Sequence, residues 1–207
     1  MLNELIRRYP QLAFCEDDIK SAADMLSDSF KNGGKLLLCG NGGSAADCDH
    51  ITGELMKGFR NMRPLSQEQR KAISEKCPDV DTDMLDKLQN ALPAISLPSL
   101  CALNTAFSND IDPSLIFAQG LLALASTNDV LIAISTSGSS VNVLNAARLA
   151  RALGIRVISL TGKSGGRLLE YSDVCIRVPE DETYKIQELH LPVYHYLCAE
   201  IENRFFG

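Results

Sequence analysis

With 207 residues, 45 % of them apolar, and a net charge of −6, the chain has the size and composition of one ordinary globular domain and not of a disordered segment. The acidic balance and the lack of any Lys/Arg cluster exclude nucleic acid as the main partner, because neutralising its phosphates needs a basic face. No apolar run near the N-terminus is long enough for a signal sequence or a membrane span, so the expectation is a cytoplasmic protein with no membrane partner.

Residues 1–32 carry Ile19, Ala22, Met25, Leu26 and Phe30 at helical spacing and end in Asn32-Gly33-Gly34, a helix stop. Strand-like runs follow at 36–39, 94–97, 130–135, 156–160 and 174–178. Helical patterns at 44–58, 112–126, 139–153, around 166–171 and 181–205 alternate with them. That alternation predicts an α/β fold, a five-stranded parallel sheet with helices on both faces, whose ligands bind at the carboxyl ends of the strands. The seven cysteines are odd in number and contain no CxxC pair, and they read as structural thiols, Cys48 as a small core residue.

The stretch Cys39-Gly40-Asn41-Gly42-Gly43-Ser44 turns a buried strand into a helix. Such a turn aims backbone N–H groups at an anion, most naturally a phosphate, which makes Asn41, Gly42, Gly43 and Ser44 binding candidates. His50 and Glu54 stand four apart and project from one face of that helix. A second strand empties into Ser135-Thr136-Ser137-Gly138-Ser139-Ser140, which is either another phosphate loop or a Ser/Thr helix cap. In the last helix Ile186, Leu189, Val193, Leu197 and Ile201 make an apolar stripe that Pro192 should bend, with Gln187 and His195 just over two turns apart near it. His190 reads as structural.

The combination of CGNGGSAAD, His50-x-x-x-Glu54, ISTSGSSVNVL, LTGKSGGRL and IQELH with His195 resembles the sugar isomerase (SIS) domain family and, within it, the phosphoheptose isomerases. The resemblance covers nearly the whole chain. It implies a three-layer flavodoxin-like SIS domain over 1–207 and a homotetramer with active sites between subunits. It also implies interconversion of sedoheptulose 7-phosphate and D-glycero-D-manno-heptose 7-phosphate. By that resemblance Ser44, Ser135, Thr136, Ser137 and Ser140 hold the phosphate, with Gln187 a further substrate contact. His50, Glu54, Gln187 and His195 match positions that bind zinc in some members, and Glu54 and His195 match the catalytic pair.

The chemistry agrees with this assignment. Moving a proton between C1 and C2 through an enediol needs a base on carbon, proton handling at the oxygens and stabilisation of developing charge. Glu54 suits the first task and His195 the second, while zinc would polarise the carbonyl. A carboxylate that ligates metal loses basicity, so Glu54 either alternates between the two roles or serves one.

Three departures stand out. Leu100, in Pro98-Ser99-Leu100, replaces an acidic residue of the family, and the arginine expected at Lys57-Gly58 is missing unless Arg60 does its work. Residues 66–91 read as an insertion of charged helical segments joined at Cys77-Pro78-Asp79, either a specificity-setting lid or subunit contact, or a solvated hairpin. The competing function is a non-catalytic phosphosugar sensor or scaffold, which would not need His50, Glu54, Gln187 and His195 to converge.

Overall fold

The computed structural model describes residues 1–207. Its centre is a sheet of five parallel strands in the order β2-β1-β3-β4-β5, formed by β1 (Leu36–Cys39), β2 (Ala94–Ser96), β3 (Val130–Ile134), β4 (Arg156–Thr161) and β5 (Val174–Arg177). Strands β1 and β3 are buried along their whole length, as apolar runs covered on both faces must be. Period two divides them: Leu36, Leu38 and Ile132 face one core, Leu37, Cys39 and Leu131 the other. Helices α2 (Glu16–Lys31), α3 (Gly43–Met56) and α9 (Thr183–Phe206) fill the first with Leu26, Ile51, Leu55, Leu197 and Ile201. Helices α7 (Ile116–Leu124) and α8 (Val141–Ala152) fill the second with Phe117, Leu121, Val143 and Ala147. The result is the three-layer α/β architecture that the alternation predicts.

After β1 the chain moves outward to β2, then returns to β3 on β1's other side. The loops that leave the carboxyl ends of β1 and β3 therefore diverge from adjacent strands and open a crevice between them, the usual ligand position in such a sheet. These are the Asn41–Ser44 and Ser135–Ser140 loops.

Several elements differ from the sequence reading. The N-terminal region divides into α1 (Leu2–Arg8), a 3₁₀ stretch Pro10–Cys15 and α2, because Pro10 removes a backbone donor. The pattern at 112–126 resolves into a 3₁₀ turn, Pro113–Leu115, and α7, and 166–171 is 3₁₀ (Gly166–Tyr171), not α-helix. Helix α6 (Cys101–Asp110) has no buried residue and so gave no apolar period to read. Within 66–91, α4 (Gln67–Lys76) starts with a capping box between Ser66 and Gln69, and α5 (Thr82–Lys87) is capped by Asp81. An Arg70–Asp86 ion pair joins the two, Leu85 is their one buried residue, and a Pro64–Gln89 bridge closes the excursion. Five cysteines are buried, including Cys48, while Cys77 and Cys101 are exposed. No helix is long and apolar enough to cross a membrane.

Candidate active site

The two loops at the crevice are held to each other. Asn41 Nδ2 donates to Asn142 Oδ1 at 2.8 Å and Asn142 Nδ2 returns a bond to Asn41 Oδ1 at 2.9 Å. Gly42 turns the chain at φ +55, a left-handed conformation that favours glycine, and leads into α3 without a side-chain cap. Helix α8 also starts without one: Ser140 stands at the cap position, but its hydroxyl lies 3.0 Å from that of Ser135. The capping alternative for this loop is thus not realised, and both helices start without a side-chain cap. Ser44 and Ser135 are buried, Thr136 and Ser140 half-buried and Ser137 exposed. Gly138, at φ +63, packs so closely on Gly165 and Gly166 that a Cβ there would overlap the Gly165 carbonyl, which fixes the height of the serine loop. Asn142→Ala removes both amide–amide bonds, each worth about 1 kcal/mol. The KM for a phosphosugar should rise about tenfold with kcat little changed, a split that steady-state kinetics would resolve.

Further along α3 the titratable residues gather. His50 Nε2 lies 3.3 Å from Glu54 Oε1, and Lys57 Nζ lies 2.8 Å from Glu54 Oε2. The His195 ring meets the His50 ring edge to face at 5.0 Å and stacks obliquely on Phe59 at 5.7 Å. Burial, then the neighbouring His50, lowers the His195 pKa, against an opposing pull from Glu54, so its imidazole is neutral at neutral pH. On its other side a cavity of about 370 Å³ opens, lined by Arg8, Tyr9, Phe59, Arg60 and Tyr196 among others.

His50, Glu54 and His195 are therefore brought together on α3 and α9. Gln187 is not with them: its amide packs where a Cβ on Gly43 would sit, at the N-terminal end of α3. Eight residues of α9, about 12 Å at helical rise, separate it from His195. No three His, Cys, Asp or Glu side chains stand close enough to hold a metal ion as they are. The donor chemistry of His50, Glu54 and His195, two imidazoles and a carboxylate, suits zinc. His190 is fully buried on Thr161 O, and burial lowers its pKa to about 4, in keeping with a structural role.

The departures also find places. Of the cations after Glu54, Arg63 is buried against Glu202 and Arg60 turns to the Met1 sulfur, so Lys57 alone meets the carboxylate. Leu100 packs among the α7-side core residues, while the neighbouring Ser99 hydroxyl is held by Asp49 from α3. Sequence reasoning passed over Asp47, Asp49, Asn142, Tyr194 and Glu202. Asp47 and Asn142 lay inside motifs already quoted, whereas Glu202 acquires its partners only across some 140 residues of chain.

A family model described as SIS domain matches residues 104–197, and a second SIS-domain model matches 4–78. The chain is 38 % identical over 188 residues to the phosphoheptose isomerase of Roseiflexus sp. (strain RS-1), covering 91 % of this chain and 82 % of that protein. It is 35 % identical over 199 residues to the phosphoheptose isomerase of Akkermansia muciniphila, covering 96 % and 92 %. Its fold matches phosphoheptose isomerase GmhA from Neisseria gonorrhoeae with TM-score 0.76 at 31 % identity, over 97 % of this chain and 94 % of that one. The phosphoheptose isomerase from Francisella tularensis matches over the same shares, with TM-score 0.75 at 33 % identity. Two tied loops at a sheet crevice, a His/Glu/His group on the facing helices and these relatives agree, and the chain belongs to the phosphoheptose isomerases of the SIS-domain family.

Proposed function

We propose that the protein interconverts sedoheptulose 7-phosphate and D-glycero-D-manno-heptose 7-phosphate through an enediol. The observation that carries this reading is the Glu54 carboxylate set beside the His50 imidazole, with the His195 ring packed edge to face on that of His50. Nothing comparable favours a sensor or scaffold. The uncapped starts of α3 and α8, with Ser44, Ser135, Thr136, Ser137 and Ser140, receive the phosphate. Glu54 takes the proton from carbon and returns it to the neighbouring carbon. His195, neutral by burial, exchanges the proton at the oxygens. When bound, zinc held by His50, Glu54 and His195 would polarise the carbonyl. Turnover of sedoheptulose 7-phosphate by zinc-loaded protein, set beside a panel of pentose and hexose phosphates, tests the substrate. Activity confined to a different sugar would move the assignment to that sugar, and binding without turnover would favour the sensor.

We propose in addition the homotetramer with active sites between subunits that the family resemblance implies, each site drawing its phosphate loops and its base from different copies. Mixing inactive Glu54→Gln protein with inactive Ser137→Ala protein, under conditions that let subunits exchange, should restore a substantial fraction of activity. Two variants that stay inactive after verified exchange would mean that one protomer supplies the whole site. The segment 66–91, an insertion relative to the family, is proposed to set specificity or assembly. Its deletion should change the sugar preference or the oligomer size, read by the same panel and by light scattering.

A further inference from the structure

The ring of Tyr194, from α9, is almost fully buried and packs against both histidines, 5.5 Å from the His50 ring and 5.0 Å from that of His195. Its hydroxyl donates to Asp47 Oδ1 at 3.2 Å and lies 3.1 Å from His50 Nδ1. A phenol has one hydrogen to give. Since Asp47 receives it, the contact with His50 must run the other way, with Nδ1–H donating to the phenolic oxygen. Asp47 has no second partner: its Oδ2 is buried without a hydrogen bond, so the carboxyl's one side-chain contact in this network is Tyr194.

We infer that Tyr194, oriented by Asp47, is a positioning residue that holds His50 in the Nδ1–H form and leaves the Nε2 lone pair facing the Glu54 carboxylate. Two acceptors 3.3 Å apart, Nε2 and Oε1, then frame a place for a shared proton or other electrophile. Without the phenol, His50 is free to turn its proton to Nε2 and donate it to Glu54, which would engage the electron pair that the base needs. Neither Asp47 nor Tyr194 touches the reacting carbons; they act through His50.

The kinetic part of this inference rests on the isomerase reading, and the tautomer part does not. Two-bond nitrogen–proton correlation spectra of protein labelled at its three histidines distinguish the tautomers directly. The wild type should give the Nδ1–H pattern for His50. Tyr194→Phe, which keeps the ring and the packing, should convert it to the Nε2–H pattern. Asp47→Ala should do the same, because the freed hydroxyl then donates to Nδ1. Thermal melts would verify that both variants are folded. In the assay, Tyr194→Phe should lower kcat about tenfold at unchanged KM. An Nε2–H wild type, or a Tyr194→Phe protein that keeps the Nδ1–H form, overturns the inference. A wild type with the expected tautomer but no turnover of the heptose phosphate would overturn the isomerase reading and leave the positioning of His50 standing.

Discussion

Glu54→Gln should lower kcat by two to four orders of magnitude, roughly the contribution of a positioned general base. The amide matches the carboxylate in shape but cannot accept a carbon-bound proton. The substitution also leaves the phosphate loops alone, since these sit at the other end of α3, some ten residues away. Sugar-phosphate binding measured by calorimetry should therefore stay within a few-fold of wild type. Glu54 makes its side-chain contacts with His50 and Lys57 at a half-open surface, so the melting temperature should hardly move. A variant that retains more than a tenth of wild-type turnover would show that Glu54 is not the base and would pass that role to His195.

The second large effect concerns stability. Glu202 is fully buried and accepts from the N–H groups of Phe59, Arg60 and Asn61 and from the Arg63 guanidinium. Arg63 in turn donates to the carbonyls of Leu55 and Glu54 and stacks on Phe206. The pair caps the end of α3 and ties the following loop to α9, so the main chain of Glu54 depends on it. Glu202→Gln leaves Arg63 charged, buried and without its counter-ion, which costs about 3–5 kcal/mol. In a domain of this size that lowers the melting temperature by roughly 6–20 °C. Burial raises the Glu202 pKa, but the hydrogen bonds from Phe59, Arg60 and Arg63 outweigh it, and the carboxyl titrates below its ordinary range. A depressed folded pKa means that this stabilisation is present above the unfolded value, about 4.3, and is lost as pH falls through the folded one. Acid titrations should show wild type losing stability below pH 4 more steeply than Glu202→Gln, whose melting curve is flatter there.

The strands were legible because β1 and β3 are uninterrupted apolar runs, and helix ends at Asn32-Gly33 and Gly42-Gly43 announce themselves chemically. Helix α6 was not, because it packs without burying any residue fully. In the site, the spacing of His50 and Glu54 on one helix face was enough to predict their contact, and the crevice loops followed from two strand ends. Gln187 was harder: two turns of α9 set it about 12 Å from His195, and which group it meets there, Gly43 at the start of α3, depends on how α9 docks. Tyr194 carried no signal of its own, because only the approach of α3 gives its hydroxyl two partners.

The Glu202 node also bears on how the molecule is made. Its carboxylate closes on the Phe59 N–H across 143 residues, after the whole sheet has been synthesised. Translation adds roughly 5–20 residues per second, so a nascent chain spends many seconds with Arg63 made and its counter-ion not yet present. Through that interval the loop after α3 cannot lock, and a contact of such long sequence separation closes slowly once it can. The Glu54 carboxylate is thus fixed in place late, when α9 docks, and chains interrupted between the end of β5 and residue 202 should emerge with the loop after α3 unlocked.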